Sequence, residues 1–366
     1  MLSSAGARSP LFALAVTAGI VLIFIFGFLT WQTPVKLPFP HTSTHVGTTA
    51  GHGTQGSVGD ALRLLFAPIR VPPSQKELAD ETGKKFSLPE KTRYNKELGK
   101  KILILDLETR ELESTKAYNE GHYDWRKINH VSGGIFNHYA YAMVHGYDYK
   151  FIHAAEFEDR HGTWIKPSAL ANNINDYDFI VFLDADATFR YMHLPIEWLL
   201  NHWEIEPKHA ITMALDPWDP ESPQYNSDAK NRTYTNTGFM VVQNTDKTQE
   251  ILKAWHECPD DTRYKDCSQW KKPKFHEQSA FGEFIRYDYG QYIKELPCAE
   301  ANGYPGVSVA HCEGLFIRHY WFEKQHVKNI FMENVMQTIT LSIQKLFAEN
   351  DPNTVYNQSK NEILVH

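Results

Sequence analysis

Residues 179–188 read Phe-Ile-Val-Phe-Leu-Asp-Ala-Asp-Ala-Thr, an apolar run ending in two aspartates spaced two apart. A run of Ile, Val, Phe and Leu without polar alternation is the pattern of a buried strand. In open α/β sheets, ligands bind beyond the carboxyl ends of such strands. If the chain stays extended there, the side chains of Asp184 and Asp186 point the same way. Two carboxylates on one side suit a divalent cation that bridges to phosphate oxygens. The competing reading is a solvated turn that closes a strand.

Other segments carry residues of matching chemistry. Lys166, in Trp164-Ile165-Lys166, reads either as a point charge for a diphosphate or as a solvated helix lysine. Asn236-Thr237-Gly238 opens a strand, and Gly238 removes a side-chain obstacle so that backbone and amide can approach a sugar; the alternative is a plain turn. Asp216 either binds sugar hydroxyls or caps the turn before Pro217. Glu277, near a helix start, either orients acceptor hydroxyls or sits where the helix dipole favours an acid. Phe316-Ile-Arg-His319-Tyr-Trp321 supplies a late imidazole, with Lys324 just after it as a further candidate for a diphosphate.

The elements that must position these residues can be read in outline. Buried-strand patterns occupy 101–106, 149–153, 179–183, 210–215 and 237–243. Helical patterns cover 129–145, closed by Gly146 as a natural C′ residue, then 164–174, 195–203, 246–255, 277–287 and about 329–349. Strands alternate with helices early in the chain, which predicts an α/β fold with a mostly parallel central sheet.

Outside that region the chain bounds its own location. Leu11 to Trp31 is 21 residues without a charge. As a helix it spans roughly 31 Å, the thickness of a bilayer core. It is too long for a signal-peptide apolar region, which is the competing reading. Arg8 and the amino terminus favour a short cytoplasmic tail, with the remainder translocated. The expected organisation is a tail at 1–10, a transmembrane signal anchor at 11–31 and a stem or linker at 32–98. A catalytic domain at 99–348 and a tail at 349–366 follow. Within the stem, the apolar island 62–71 is placed to pack back on the domain. Cys258, Cys267, Cys298 and Cys312, an even number in an oxidising compartment, suggest disulfides between nearest neighbours; no C-x-x-C spacing supports zinc. Asn231-Arg-Thr and Asn357-Gln-Ser are glycosylation sequons. A net charge of −7 argues against nucleic acid as a partner.

Taken in order, Tyr139-Ala-Tyr-Ala-Met-Val-His-Gly-Tyr-Asp148, Trp164-Ile-Lys166, Leu183-Asp-Ala-Asp186, Asn236-Thr-Gly238, Glu277-Gln-Ser-Ala280 and His319 resemble glycosyltransferase family 34. These are the fungal and plant galactosyl-, mannosyl- and xylosyltransferases of the Golgi. The resemblance runs from about residue 100 to about 325. It implies the GT-A nucleotide-sugar transferase fold, type II Golgi membrane topology, Mn²⁺ as cofactor and transfer with retention of configuration. It also implies metal ligation by Asp184, Asp186 and His319, with Asp184 acting through water or holding the donor ribose. His311 is the alternative imidazole. Donor contacts fall on Lys166, Asp184, Asp216, Asn236, Gly238 and Lys324, and Gln278, with Glu277 beside it, lies near the anomeric carbon. An amide is a poor nucleophile, so departure and attack would share one face of the sugar. The chain departs from the family after the histidine, where Tyr320-Trp321 replaces the usual Gly-Cys. The expected donors are UDP-galactose, UDP-xylose or GDP-mannose, and the acceptor a glycan or polysaccharide. Other transferase subunits are expected as partners. Two rival readings exist: a non-catalytic carbohydrate-binding subunit of a transferase complex, and a phosphatase of the haloacid-dehalogenase type, whose D-x-D-x-T pattern Asp184 to Thr188 also fits.

Overall fold

The computed structural model describes residues 57–111, 128–307 and 311–356. In chain order these form helix α1 (Val58–Phe66), strands β1 (Glu77–Ala79), β2 (Lys85–Ser87) and β3 (Ile102–Glu108), helix α2 (His130–His145) and strand β4 (Asp148–His153). Helix α3 (Ile165–Asn173), strands β5 (Phe179–Leu183) and β6 (Ala187–Phe189), helix α4 (Ile196–His202) and strands β7 (Ile211–Leu215) and β8 (Thr235–Gln243) follow. The chain continues through helices α5 (Thr248–His256) and α6 (Glu277–Ala280), strand β9 (Ile293–Leu296), helix α7 (Cys298–Ala301), strand β10 (Ile317–His319) and the long helix α8 (His326–Glu349).

The central sheet has the order β4-β3-β5-β8-β7-β9. β8 runs antiparallel to its neighbours β5 and β7, and the other three pairings are parallel. The sheet is therefore mostly parallel, as its apolar strands predict. Side chains alternate across it. Ile102, Ile104, Phe179 and Val181 face a core that holds Trp198 of α4. Leu103, Leu105, Ile180 and Phe182 face a second core with Leu170 of α3 and Trp255 of α5.

Most elements lie within one to three residues of their sequence patterns, and the exceptions have physical causes. The expected helix at 277–287 is α6 followed by a π-helical segment, Phe281–Ile285, and a short α turn, Arg286–Asp288. A Cβ on Gly282 would overlap the ring of Tyr234, so that segment packs flush against an aromatic. β6 and β10, three residues each, pair antiparallel with Ala187 opposite His319.

The folded body begins well before residue 99, contrary to the expected stem at 32–98. Phe66, Val71, Leu78, Phe86 and Leu88 are buried in the first core. Side chains of α4 take up the backbone of this segment: Asn201 Oδ1 accepts from the N–H groups of Arg93 and Tyr94, both at 2.9 Å, and Glu197 Oε1 from that of Leu98 at 2.6 Å. The apolar minority of this charged stretch is what the core uses. At the other end a short helix, Asp351–Thr354, extends into the expected tail. Cysteines pair as nearest neighbours, Cys258–Cys267 and Cys298–Cys312. The expected membrane segment 11–31 lies outside the described residues, among which no helix is long and apolar enough to cross a membrane.

Candidate active site

β5 ends at Leu183 and delivers the two aspartates to the carboxyl edge of the sheet. A tight turn holds them there: the Asp184 N–H donates to Gly238 O, and the Ala187 N–H to Asp184 O, both at 2.8 Å. Helix α2 presses on this turn from below. A Cβ on Gly134 would overlap the Ala185 carbonyl oxygen. One turn later, the fully buried His138 meets Ala187 O through Nε2 at 2.9 Å and Asp106 Oδ1 through Nδ1 at 2.7 Å. Tyr149 donates its hydroxyl to the other Asp106 oxygen at 2.6 Å. The aspartate loop is thus gripped at both carbonyls that flank Asp186.

His319 arrives on β10 beside the turn. Ligand atoms of Asp184, Asp186 and His319 all lie within 4.8 Å of one another, with His319 Nε2 3.2 Å from Asp186 Oδ1. Gly238 makes room for this imidazole, since a Cβ there would fall inside the ring. The glycine therefore gives the histidine its place beside Asp186. Asp186 is buried, which by itself favours the neutral acid, but His319 and the Lys324 ammonium, 2.6 Å from its Oδ2, hold it well below the usual carboxylate range. His311 is exposed, with a left-handed backbone, and stands outside this group.

Behind the aspartates lies a buried polar network. Lys166 Nζ meets Asp184 Oδ1 at 3.0 Å, Glu277 Oε1 at 3.2 Å and Thr237 O at 3.2 Å. An ammonium has three donors, so in this structure Lys166 is engaged in positioning Asp184 while it also lines the cavity. Burial works to discharge it, yet the two carboxylates outweigh that and hold it above the ordinary lysine value. Glu277 is buried and is held through Oε1 by Lys166 and by the Thr237 hydroxyl at 2.9 Å. Gln278 accepts from Thr237 N–H at 3.0 Å and donates to Asp216 Oδ2 at 2.7 Å. Asn236 donates to Asp216 Oδ1 at 2.7 Å and accepts from Gly238 N–H at 2.8 Å. Asp216 is fully buried, and burial pushes its carboxyl up to about 6 against the pull of Asn236, His319, Asn302 and Gln278.

All ten expected site residues fall in one connected cluster. It borders a cavity of about 730 Å³, within the size range of small-molecule sites. Facing it are cations that sequence reading missed, Arg110, Arg160 and Lys272, together with Lys324. Arg110 stands just past the end of β3 and forms a two-point pair with Glu108, at 2.8 and 2.6 Å. The strand-end rule that found Asp184 would have found it. Asp106, His138 and Asn302 carried no comparable signal, because their partners are distant in sequence.

The family model described as galactosyl transferase GMA12/MNN10 matches residues 115–295. No curated protein matches the chain. Among solved structures, it is similar to a glycosyltransferase involved in glycosylation of the major capsid of PBCV-1, at 14% identity over 63% of this chain and 98% of that one, TM-score 0.43. It is similar to the galactosyltransferase LgtC bound to donor and acceptor sugar analogs, at 13% identity over 66% and 95%, TM-score 0.36. Mouse xyloside xylosyltransferase 1 is 13% identical over 60% and 96%, TM-score 0.37.

Proposed function

For a chain that carries a glycosyltransferase domain of the galactosyl transferase GMA12/MNN10 family, we propose retaining, metal-dependent transfer of a hexose or pentose from a nucleotide-diphosphate sugar to a glycan acceptor. The observation that carries this reading is the Asp184–Asp186–His319 group at the edge of a large charged cavity. Two carboxylates and one imidazole form an O,O,N donor set that suits Mn²⁺ better than Mg²⁺ or Ca²⁺. The Lys324 ammonium on Asp186 marks where positive charge is already accepted. A divalent cation held there supplies charge neutralisation to the diphosphate of UDP-galactose, UDP-xylose or GDP-mannose.

The chain's own residues do the rest. Lys324 and Arg110 face the cavity and neutralise the diphosphate, while Lys166 keeps Asp184 aimed. Retention is supported by the state of the nearby carboxylates. Glu277 is tied to Lys166 through Oε1, Asp216 is wrapped by amide donors, and neither lines the cavity where a nucleophile would have to stand. The bond from the anomeric carbon to the diphosphate oxygen breaks, and the bond from that carbon to the acceptor oxygen forms on the same face. The acceptor's proton passes to the departing phosphate, and the Gln278 amide carbonyl stabilises the intervening positive charge through its second lone pair. Two disulfides and an exposed Asn231 sequon support a lumenal, oxidising compartment, with residues 11–31 as the Golgi anchor.

The test is release of nucleoside diphosphate by the full-length chain, given each donor and an oligosaccharide acceptor with Mn²⁺ or with chelator. The expected result is release from one donor, abolished by chelation and reduced by at least about 10²-fold in Asp186→Ala. A chain that neither releases diphosphate nor binds any donor in the presence of Mn²⁺ would sink the proposal.

A further inference from the structure

Two groups meet at the back of the His319 ring. Its Nδ1 lies 3.2 Å from Asn302 Oδ1 and 3.0 Å from Trp321 Nε1. The indole N–H is a donor only. Asn302 is fully buried and its amide is fixed in orientation: Nδ2 donates to Leu215 O at 3.1 Å, and Oδ1 accepts from Gly303 N–H at 3.0 Å. Oδ1 therefore presents an acceptor to the same nitrogen that Trp321 approaches with a donor. A neutral imidazole satisfies one of them at a time, and the choice sets what the opposite nitrogen can do.

With the proton on Nε2, Nδ1 accepts from Trp321 and Nε2 donates to Asp186, so the ring has no lone pair to offer toward the aspartates. With the proton on Nδ1, it donates to Asn302, and the Nε2 lone pair faces Asp184 and Asp186. Only the second arrangement can ligate a cation. The His319 N–H donates to Gly303 O at 2.8 Å, so the residue after Asn302 also fixes the backbone of His319. The Cys298–Cys312 disulfide closes the loop that carries Asn302 and Gly303.

We propose that Asn302 and Trp321 are opposed positioning residues for His319: Asn302 holds the tautomer that binds the cation, and Trp321 holds the one that does not. The pair tunes cation affinity without touching the cation. This rests on the metal reading of the same site. It also gives a role to the Trp321 that stands where the family pattern has a smaller residue.

The test is direct Mn²⁺ binding to the full-length chain, read from the free Mn²⁺ resonance in a titration without donor. Trp321→Phe keeps a ring beside His319 and Tyr304 but removes the donor, and tightens Mn²⁺ binding by about fivefold. Asn302→Leu weakens it by roughly 10- to 100-fold, and Asn302→Asp, which keeps an acceptor toward Nδ1, retains it. In a His319→Gln background Trp321→Phe has no effect. A merely structural tryptophan would not tighten binding when truncated. Unchanged or weakened binding in Trp321→Phe, at an unchanged melting midpoint, overturns the inference while leaving the metal site standing, and so does tightening that persists without His319. If Asn302→Leu does not fold, the tryptophan variant alone decides. A wild-type chain that binds no Mn²⁺ removes the metal reading and this inference together.

Discussion

Gly238 shows how a single position can be recognised for one reason and retained for another. Its lack of a side chain reads, in sequence, as access for a ligand. In the structure the occupant of that space is the His319 imidazole. Gly238→Ala therefore pushes the ring away from Asp186, and we expect Mn²⁺ affinity to fall by roughly 10-fold or more while the sheet survives; a titration beside a thermal melt separates the two. Asp216 makes a different prediction. Its folded carboxyl, at about 6, lies above an unfolded value near 4. Folding thus favours the protonated form, contributing about 2–3 kcal/mol below pH 4 that is lost as pH rises through 6. Asp216→Asn removes this slope, which urea unfolding at pH 4 and pH 7 will show. Gln278 was marked only by the family resemblance, whereas the aspartates, Asn236 and Gly238 were legible because each stands at the end of a patterned element. Asn302 and His138 were not, since their function is to touch residues that only the fold brings near.

Helix α2 is the element on which the cation site leans. Its register places Gly134 and His138 one turn apart beneath the aspartate loop. His138→Leu leaves Ala187 O and a buried Asp106 oxygen without that partner, at a cost of about 2–4 kcal/mol. We expect a lowered melting midpoint together with weakened Mn²⁺ binding, whereas a purely structural helix would lose the first without the second. Asn129, counted within this helix, is its cap and accepts from Ser132 N–H, whereas the left-handed Gly146 that ends it was readable from local sequence. β6 and β10 were not, because three residues show no period. Yet this three-residue pairing sets Ala187 opposite His319, and so determines whether the site exists at all.

At the scale of the molecule, the amino-terminal segment belongs to the body it was expected to tether. Five buried side chains between Phe66 and Leu88, at roughly 2 kcal/mol each, approach the net stability of a whole domain. A chain that begins at residue 99 will be insoluble or unfolded, while one that begins upstream of Ser57 keeps its melting transition; solubility and circular dichroism of the two decide this. The β6–β10 pairing has a consequence for biosynthesis. His319 follows Asp186 by 133 residues. At roughly 5–20 residues per second, the imidazole is made on the order of ten seconds after the aspartates it joins. A nascent chain can thus complete most of its central sheet before its third ligand exists, and any product released before β10 carries the aspartates but no centre. Catalytic competence is in this sense a late event of translation, so that prematurely terminated chains are inert.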